Sequence, residues 1–308
     1  MLDLTLTVTG MTLLCVLAAI AGSALQKRAQ RNVVLLSEGC VTTGMAGYFA
    51  WLWDRPVLTE LFPFSNAIIL GNWLPIVGAF FVGVCLSTKH VMKIRRTVLG
   101  TSLGVLCFYS LVSPLLGETP VISVGEPTDV ILEFQSTPQT CSAACAAGLL
   151  RLHGIAATEE ELAKLCLTRR GTHWLGVFRG LKIKTAGTEW DVVAEELSPK
   201  QLIREHEALG VLALTFAQSA DENSVESGFA TDVGHTVVSL GVTSWGTLDV
   251  FDPSPDYGFE TWNDRVVADV DHCIMLRLVS RNGTPSPLHG FDSNRPSTWN
   301  KRTVVAVR

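Results

Sequence analysis

Four apolar stretches in the first 117 residues, at about 4–25, 33–53, 66–87 and 97–116, constrain the fold of this chain more than any other feature. Each approaches the ~20 residues that an α-helix needs to cross a hydrocarbon core. The second carries Glu38 near its start, a position suited to the interface or to a face turned toward other helices. A cleaved signal peptide is the rival reading of the first stretch. A signal carries its positive charges ahead of the apolar run, whereas Lys27, Arg28 and Arg31 follow it here. The sequence therefore predicts a membrane domain over 1–117 with four transmembrane helices. These stretches account for a hydrophobic content of 47% and a mean hydropathy of +0.31, high for a wholly soluble chain.

Orientation follows from the short loops. Residues 27–31 hold three basic side chains, and residues 89–96 hold Lys89, Lys93, Arg95 and Arg96. The loop at 54–64 has Asp54, Arg55 and Glu60, with no basic excess. Positive loops stay in the cytoplasm, so both termini are expected to face outward. Trp51, Trp53 and Trp73 lie near span ends, where amphipathic rings favour the headgroup region, although packing would explain any one of them equally well.

Charge divides the chain at the same point. Residues 1–117 carry a net +4 and residues 118–308 a net −9. An acidic downstream domain argues against a nucleic-acid partner. Of eight cysteines, Cys15, Cys40, Cys85 and Cys107 fall one per apolar stretch, as small packing residues do. The others are Cys141, Cys145, Cys166 and Cys273, with no paired Cys-x-x-Cys metal signature. In an oxidising space one disulfide among Cys145, Cys166 and Cys273 is open to the chain, and the spacing chooses no pair.

Residues 118–130 read as a linker rich in turn residues, followed by one domain over 131–308. The segment from Cys141 reads as a buried helix of small residues closing on Gly154. Thr158 and Glu161 form a capping box that starts a second helix, and Ser198-Pro199-Lys200-Gln201 starts a third. Strands are expected at Val211–Ala217, His235–Val242, Thr247–Asp252 and Cys273–Val279, with a hairpin turn at 243–246. A final strand is expected at Thr303–Val307. The polar segment 218–234 is a candidate lid, or equally a surface connection. Helices first and antiparallel strands afterwards indicate an α+β domain.

Four residues carry candidate chemistry: Gln135, Cys141, His235 and Asp252. Cys141 lies at a helix start, where unpaired N–H groups and partial positive charge favour a thiolate. His235 opens one strand and Asp252 closes the next, so antiparallel pairing would bring the two together. The Asp then holds one imidazole nitrogen while the other faces the thiol. Taken singly, each has an ordinary explanation: a packed thiol, a strand-edge His, an Asp-Pro turn. Gln139 also precedes Cys145 by the six residues that separate Gln135 from Cys141. Cys145 is nevertheless the poorer nucleophile, because it sits a turn inside the helix, where the dipole helps less.

Together these residues resemble the papain-like bacterial peptidases that remove double-glycine leaders from bacteriocins and related peptides. Gln135 stands six residues before Cys141, Gly154 follows by thirteen, and His235-Thr-Val-Val and Phe251-Asp252-Pro253 come later, in the family's order. The resemblance covers about 130–280 and departs at Ser142, where relatives carry Gly. It implies a papain-like cysteine peptidase domain, with Cys141, His235 and Asp252 as triad and Gln135 as oxyanion donor, and covers none of the four-helix membrane part. Many relatives are joined to an exporter with a nucleotide-binding domain, but no phosphate-binding Gly-rich loop is found in this sequence.

The expected activity is hydrolysis of a peptide or protein substrate without cofactor or metal, acting on leader or secreted peptides. The expected setting is the bacterial inner membrane with the peptidase domain extracytoplasmic, and a separate exporter or membrane complex is a candidate partner. A non-cleaving peptide-binding module and a transamidase using the same triad are the alternatives. A chance match in a structural membrane protein stands behind both.

Overall fold

The computed structural model describes residues 2–88, 92–122, 131–204, 209–217 and 234–283. The segment 218–233, most of the linker and the strand expected at Thr303–Val307 lie outside the described residues. By internal contacts the chain falls into two compact units, Met1–Leu116 and Gly117–Arg308.

In the first unit, α1 is Leu2–Arg28, α2 Arg31–Trp51, α3 Val57–Leu61, α4 Ala67–Leu70, α5 Leu74–Ser87 and α6 Lys93–Val112, with a 3₁₀ turn at Ser113–Leu115. Four helical segments here are long and apolar enough to cross a membrane: Leu2–Arg28, Arg31–Trp51, Ala67–Ser87 and Lys93–Leu115. The third is interrupted after Leu70 and restarts with Pro75 in the first turn of α5, a position where the missing N–H costs nothing. Helix α5 packs on both α1 and α6. Its contact with α1 is backbone to backbone: a Cβ on Gly83 would stand 1.9 Å from the Ala19 carbonyl oxygen, and one on Gly22 2.2 Å from that of Phe80. Such close approach is how helices pack where lipid is as apolar as the side chains. Ser23 and Ser87 hydrogen-bond across the same pair at 2.7 Å, and Asn72 donates to the Ser110 carbonyl at 2.9 Å. Trp73 stacks on Tyr48 with centroids 5.9 Å apart, whereas Trp51 is left 77% exposed.

Substituting Gly83 with Leu should therefore destabilise the helix pair by about 1–3 kcal/mol, the usual cost of overpacking. Thermal unfolding in detergent would report it. Gly104→Leu is the control, since a Cβ at Gly104 meets nothing within 4 Å.

The second unit begins with helices α7 (Cys141–Leu152), α8 (Glu159–Leu165) and α9 (Trp174–Lys184). Then follow β1 (Trp190–Glu196), α10 (Pro199–Arg204), β2 (Leu209–Phe216), β3 (His235–Val242), β4 (Leu248–Asp252), β5 (Gly258–Trp262), α11 (Asp264–Ala268) and β6 (Val270–Ser280). The six strands form one antiparallel sheet in the order β1-β6-β2-β3-β4-β5. Helix α7 lies on β2 and β3. Its residues from Ser142 to Leu150 are all buried, and the small ones among them let the helix approach the sheet closely. Elsewhere in the unit, Leu202 of α10 and Val266 and Val267 of α11 join Leu212, Leu214, Phe216, Val237 and Trp262 in a buried cluster.

The α+β architecture, helices before antiparallel strands, is the one the sequence indicates. The capping signals are realised: Thr158 Oγ1 accepts from Glu161 N–H at 3.2 Å, and Gln201 Oε1 accepts from Ser198 N–H at 2.9 Å. Four elements were not expected. Helix α9 opens on His173, whose ring nitrogen accepts from Leu175 N–H at 3.2 Å, and His is outside the usual set of capping residues. Helix α11 is only five residues long. Strand β1 alternates buried and half-buried positions among Asp and Glu side chains, and β5 is a short terminal strand of the sheet.

Candidate active site

The position of Cys141 follows from the turn before it. Thr140 is fully buried, and its Oγ1 accepts from Thr137 N–H at 3.1 Å and donates to the Thr137 carbonyl at 2.9 Å. That closed turn delivers Cys141 as the first residue of α7, among the unpaired N–H groups of the helix start. Gly154, with φ +72°, ends the segment beyond Leu152 in the left-handed conformation that glycine adopts without strain.

Strands β3 and β4 carry the other two groups. Their register sets Val238 against Phe251, which brings Asp252 to the His235 end of β3. His235 Nε2 lies 3.1 Å from Asp252 Oδ1. Asp252 is completely buried, and its Oδ1 also accepts from Ser254 N–H at 2.7 Å, which holds the carboxylate in place. Cys141 acts electrostatically on the same imidazole, so thiol, imidazole and carboxylate are neighbours.

Electrostatics divide the charges unequally among the three. Burial pushes the Cys141 thiol up, but the hydrogen bond and charge of His235, with bonds from Ser142, outweigh it and leave the thiol below its ordinary value. Burial pushes His235 down, yet its bonds to Asp252 and Cys141 and their charges hold it up at about 9. Both shifts favour thiolate and imidazolium over the neutral pair. Cys145 lies on the same helix, 1% exposed, with its thiol donating to the Thr236 carbonyl at 3.3 Å. Burial drives it well above the ordinary thiol value, with the charges of Cys141, Asp252 and Glu159 adding to the effect. It is a packed, protonated thiol.

Gln135 joins the set through the residue beside Asp252: its N–H donates to the Pro253 carbonyl at 2.7 Å. Its Oε1 is buried without a protein partner among the described residues. The next residue is clamped, since Glu159 accepts from Ser136 N–H at 2.8 Å and from Ser136 Oγ at 2.6 Å. Glu159 is a 6%-exposed carboxylate at the start of α8. Its role was not visible in the sequence, where it is one of three consecutive glutamates. In the sequence Ser142 stands out only as a departure from the Gly of the peptidases that the chain resembles. Its side chain is 2% exposed and packs inward, 2.7 Å from Thr236 Oγ1.

All eight cysteines are free, with Cys145, Cys166 and Cys273 buried. Among the described residues, no group of three or more His, Cys, Asp or Glu side chains is placed to hold a metal ion.

No protein-family model and no curated protein matches the chain. Among solved structures, it is similar to the peptidase domain of Streptococcus ComA, a bi-functional ABC transporter involved in a quorum-sensing pathway. The identity is 16%, the alignment covers 49% of this chain and 98% of that one, and the TM-score is 0.38. A double-glycine-motif protease from an AMS/PCAT transporter, solved in complex with its leader peptide, aligns at 14% identity over 53% of this chain and 94% of that one, with a TM-score of 0.35. The peptidase domain of Streptococcus mutans ComA aligns at 16% identity over 47% and 97%, with a TM-score of 0.31.

Proposed function

We propose that this chain is a membrane-anchored cysteine peptidase whose catalytic residues are Cys141, His235, Asp252 and Gln135. One observation carries the reading. A thiol at the first position of a helix is electrostatically coupled to an imidazole that lies 3.1 Å from a fully buried carboxylate. A purely structural cluster has no need for a thiol held below its ordinary value beside an imidazole held above its own.

The chemistry is acyl transfer in two steps. The Cys141 proton passes to His235, and the thiolate attacks the peptide carbonyl to give a tetrahedral oxyanion. The Cys141 N–H and the Gln135 side-chain amide donate to that oxyanion. His235 then gives its proton to the leaving amine as the C–N bond breaks, leaving a thioester. Water, deprotonated by His235, attacks the thioester, and Cys141 leaves as thiolate. Asp252 keeps the imidazole in one orientation and supports its positive form throughout.

Removing the Gln135 amide should cost about 10²–10³ in kcat, the usual price of one oxyanion donor. Gln135→Ala assayed on a peptide substrate, with KM reported separately, checks this. A loss confined to KM would remove Gln135 from the oxyanion role.

The anchor is the set of four apolar helices, oriented by the basic residues at 27–31 and 89–96 with both termini outside the cytoplasm. The peptidase unit then works at the extracytoplasmic face of a bacterial inner membrane, on leader or secreted peptides delivered by a separate exporter or membrane complex. Protease accessibility of the 131–283 region in intact spheroplasts tests the orientation. Protection there, with cleavage only after lysis, would reverse it.

A further inference from the structure

Ser142 is buried at the joint between the nucleophile's helix and the base's strand, and it touches both. Its Oγ lies 2.7 Å from Thr236 Oγ1 and 3.9 Å from Cys141 Sγ. One turn along α7, the Cys145 thiol donates to the Thr236 carbonyl at 3.3 Å. Two side chains of α7 thus dock on the single residue Thr236. Because Ser142 follows Cys141 and Thr236 follows His235, pinning the second pair sets the first pair face to face.

We infer that the Ser142 and Thr236 hydroxyls form a donor relay to the nucleophile, Thr236 Oγ1–H to Ser142 Oγ and Ser142 Oγ–H to Cys141 Sγ, which stabilises the thiolate and fixes its approach to His235. This inference rests on the peptidase reading above. The direction follows from charge. A thiolate accepts and cannot donate, so the Ser142 proton turns to Sγ, and the Ser142 oxygen is then left to accept from Thr236. The bond to sulfur is long, so its contribution is a fraction of a short ionic bond. Desolvation raises that contribution, because Ser142 and Thr236 are 2% and 3% exposed.

Other groups bearing on this end of α7 are His235 from β3, Asp252 from β4, Glu159 from α8 and Cys145 in α7 itself. His235 is the partner that forms the ion pair, and Asp252 acts through it. Cys145 stays protonated, and Glu159 is occupied by Ser136. None of these replaces a hydroxyl donor on the side of the sulfur that Ser142 covers. A Gly at position 142 has no hydroxyl and would lack the relay.

The test is the pH profile of Cys141 alkylation by iodoacetamide on the full chain in detergent, read by mass spectrometry of the peptide that carries it. The parent chain should label along an acid limb well below the ordinary thiol range. Ser142→Ala should raise that limb by about one unit, a roughly tenfold slower labelling on the limb, with the alkaline plateau unchanged. Thr236→Val, which keeps the shape and removes the hydroxyl, should move the limb the same way by less, and adding it to Ser142→Ala should add little. Circular dichroism identifies the folded variants, and Thr236→Val carries the test should Ser142→Ala not fold. A limb that stays at the parent's position in folded Ser142→Ala or Thr236→Val overturns the relay and leaves the peptidase reading intact. A parent chain whose Cys141 labels only in the ordinary thiol range overturns both. A plateau that falls while the limb stays would mark Ser142 as mere packing, and also overturns the relay.

Discussion

Cys141→Ala should abolish peptide hydrolysis, with a loss in kcat on the order of 10⁶, the scale on which removal of a covalent nucleophile is felt. That corresponds to about 8 kcal/mol of transition-state stabilisation. It exceeds any single hydrogen bond because the acyl-enzyme route is lost altogether, and what remains is water attack aided by binding and the oxyanion donors. The side chain lost is small and stands at a helix start, so folding should change by less than about 1 kcal/mol. Cys145→Ala is the matched control. Cys145 is 1% exposed and its thiol is held protonated by burial, so its removal should leave turnover largely intact while creating a small cavity. Cleavage that persists in the Cys141 variant and vanishes in the Cys145 variant would transfer the nucleophile to the second thiol.

His235→Ala should cost about 10⁴–10⁶ in kcat/KM, because in the proposed mechanism one side chain takes the thiol proton, protonates the leaving amine and activates water. The same substitution should slow electrophile labelling of Cys141 in mildly acid solution. Without the imidazolium, burial is the dominant influence left on the thiol, and burial raises it. The pH profile expected of the parent chain follows from the same pair. Activity should rise with formation of the thiolate, at a pH below the ordinary thiol range. It should fall again as His235 loses its proton at about 9. The sign on the alkaline side is set by the leaving amine, which needs the imidazolium as its proton donor. An alkaline limb near the ordinary histidine value instead would mean that Asp252 does not support the imidazolium in solution.

Glu159 explains why the Gln135 loop is held although it belongs to no strand or helix. A carboxylate taken out of water must find donors, and Ser136 supplies two of them. The same loop is tied on its other side by the Gln135 N–H to the Pro253 carbonyl. Gln135 and Asp252 are thereby linked through adjacent residues, Gln135 to Pro253 and Pro253 to Asp252. Displacing one end displaces the other, which makes the loop part of the site's rigidity as well as its chemistry.

Much of this was legible in the residues because it is local. Apolar runs of membrane length, the Thr158 and Ser198 caps, the small-residue helix closing on Gly154 and the β-branched run from His235 are all determined by neighbours within a few positions, where backbone sterics and hydrophobic periodicity act directly. The order Cys141, His235, Asp252 could be read for the same reason, since each stands at the edge of an element that its own surroundings define, and Gln135 by its six-residue spacing from Cys141. Strands β1 and β5 and helices α9 and α11 were not legible: their charged, short or unusually capped sequences become regular only against partners far along the chain, as β1 does against β6. Only the tertiary structure decided that Ser142 turns inward to Thr236, ninety-four positions away, and that Glu159 is buried against Ser136. Burial and long-range hydrogen bonding depend on which surfaces meet, and no window of sequence contains that information. The sequence by itself named the thiol, the imidazole and the carboxylate. Packing of α7 on β3, with β4 beside it, sets the distances at which they act on one another.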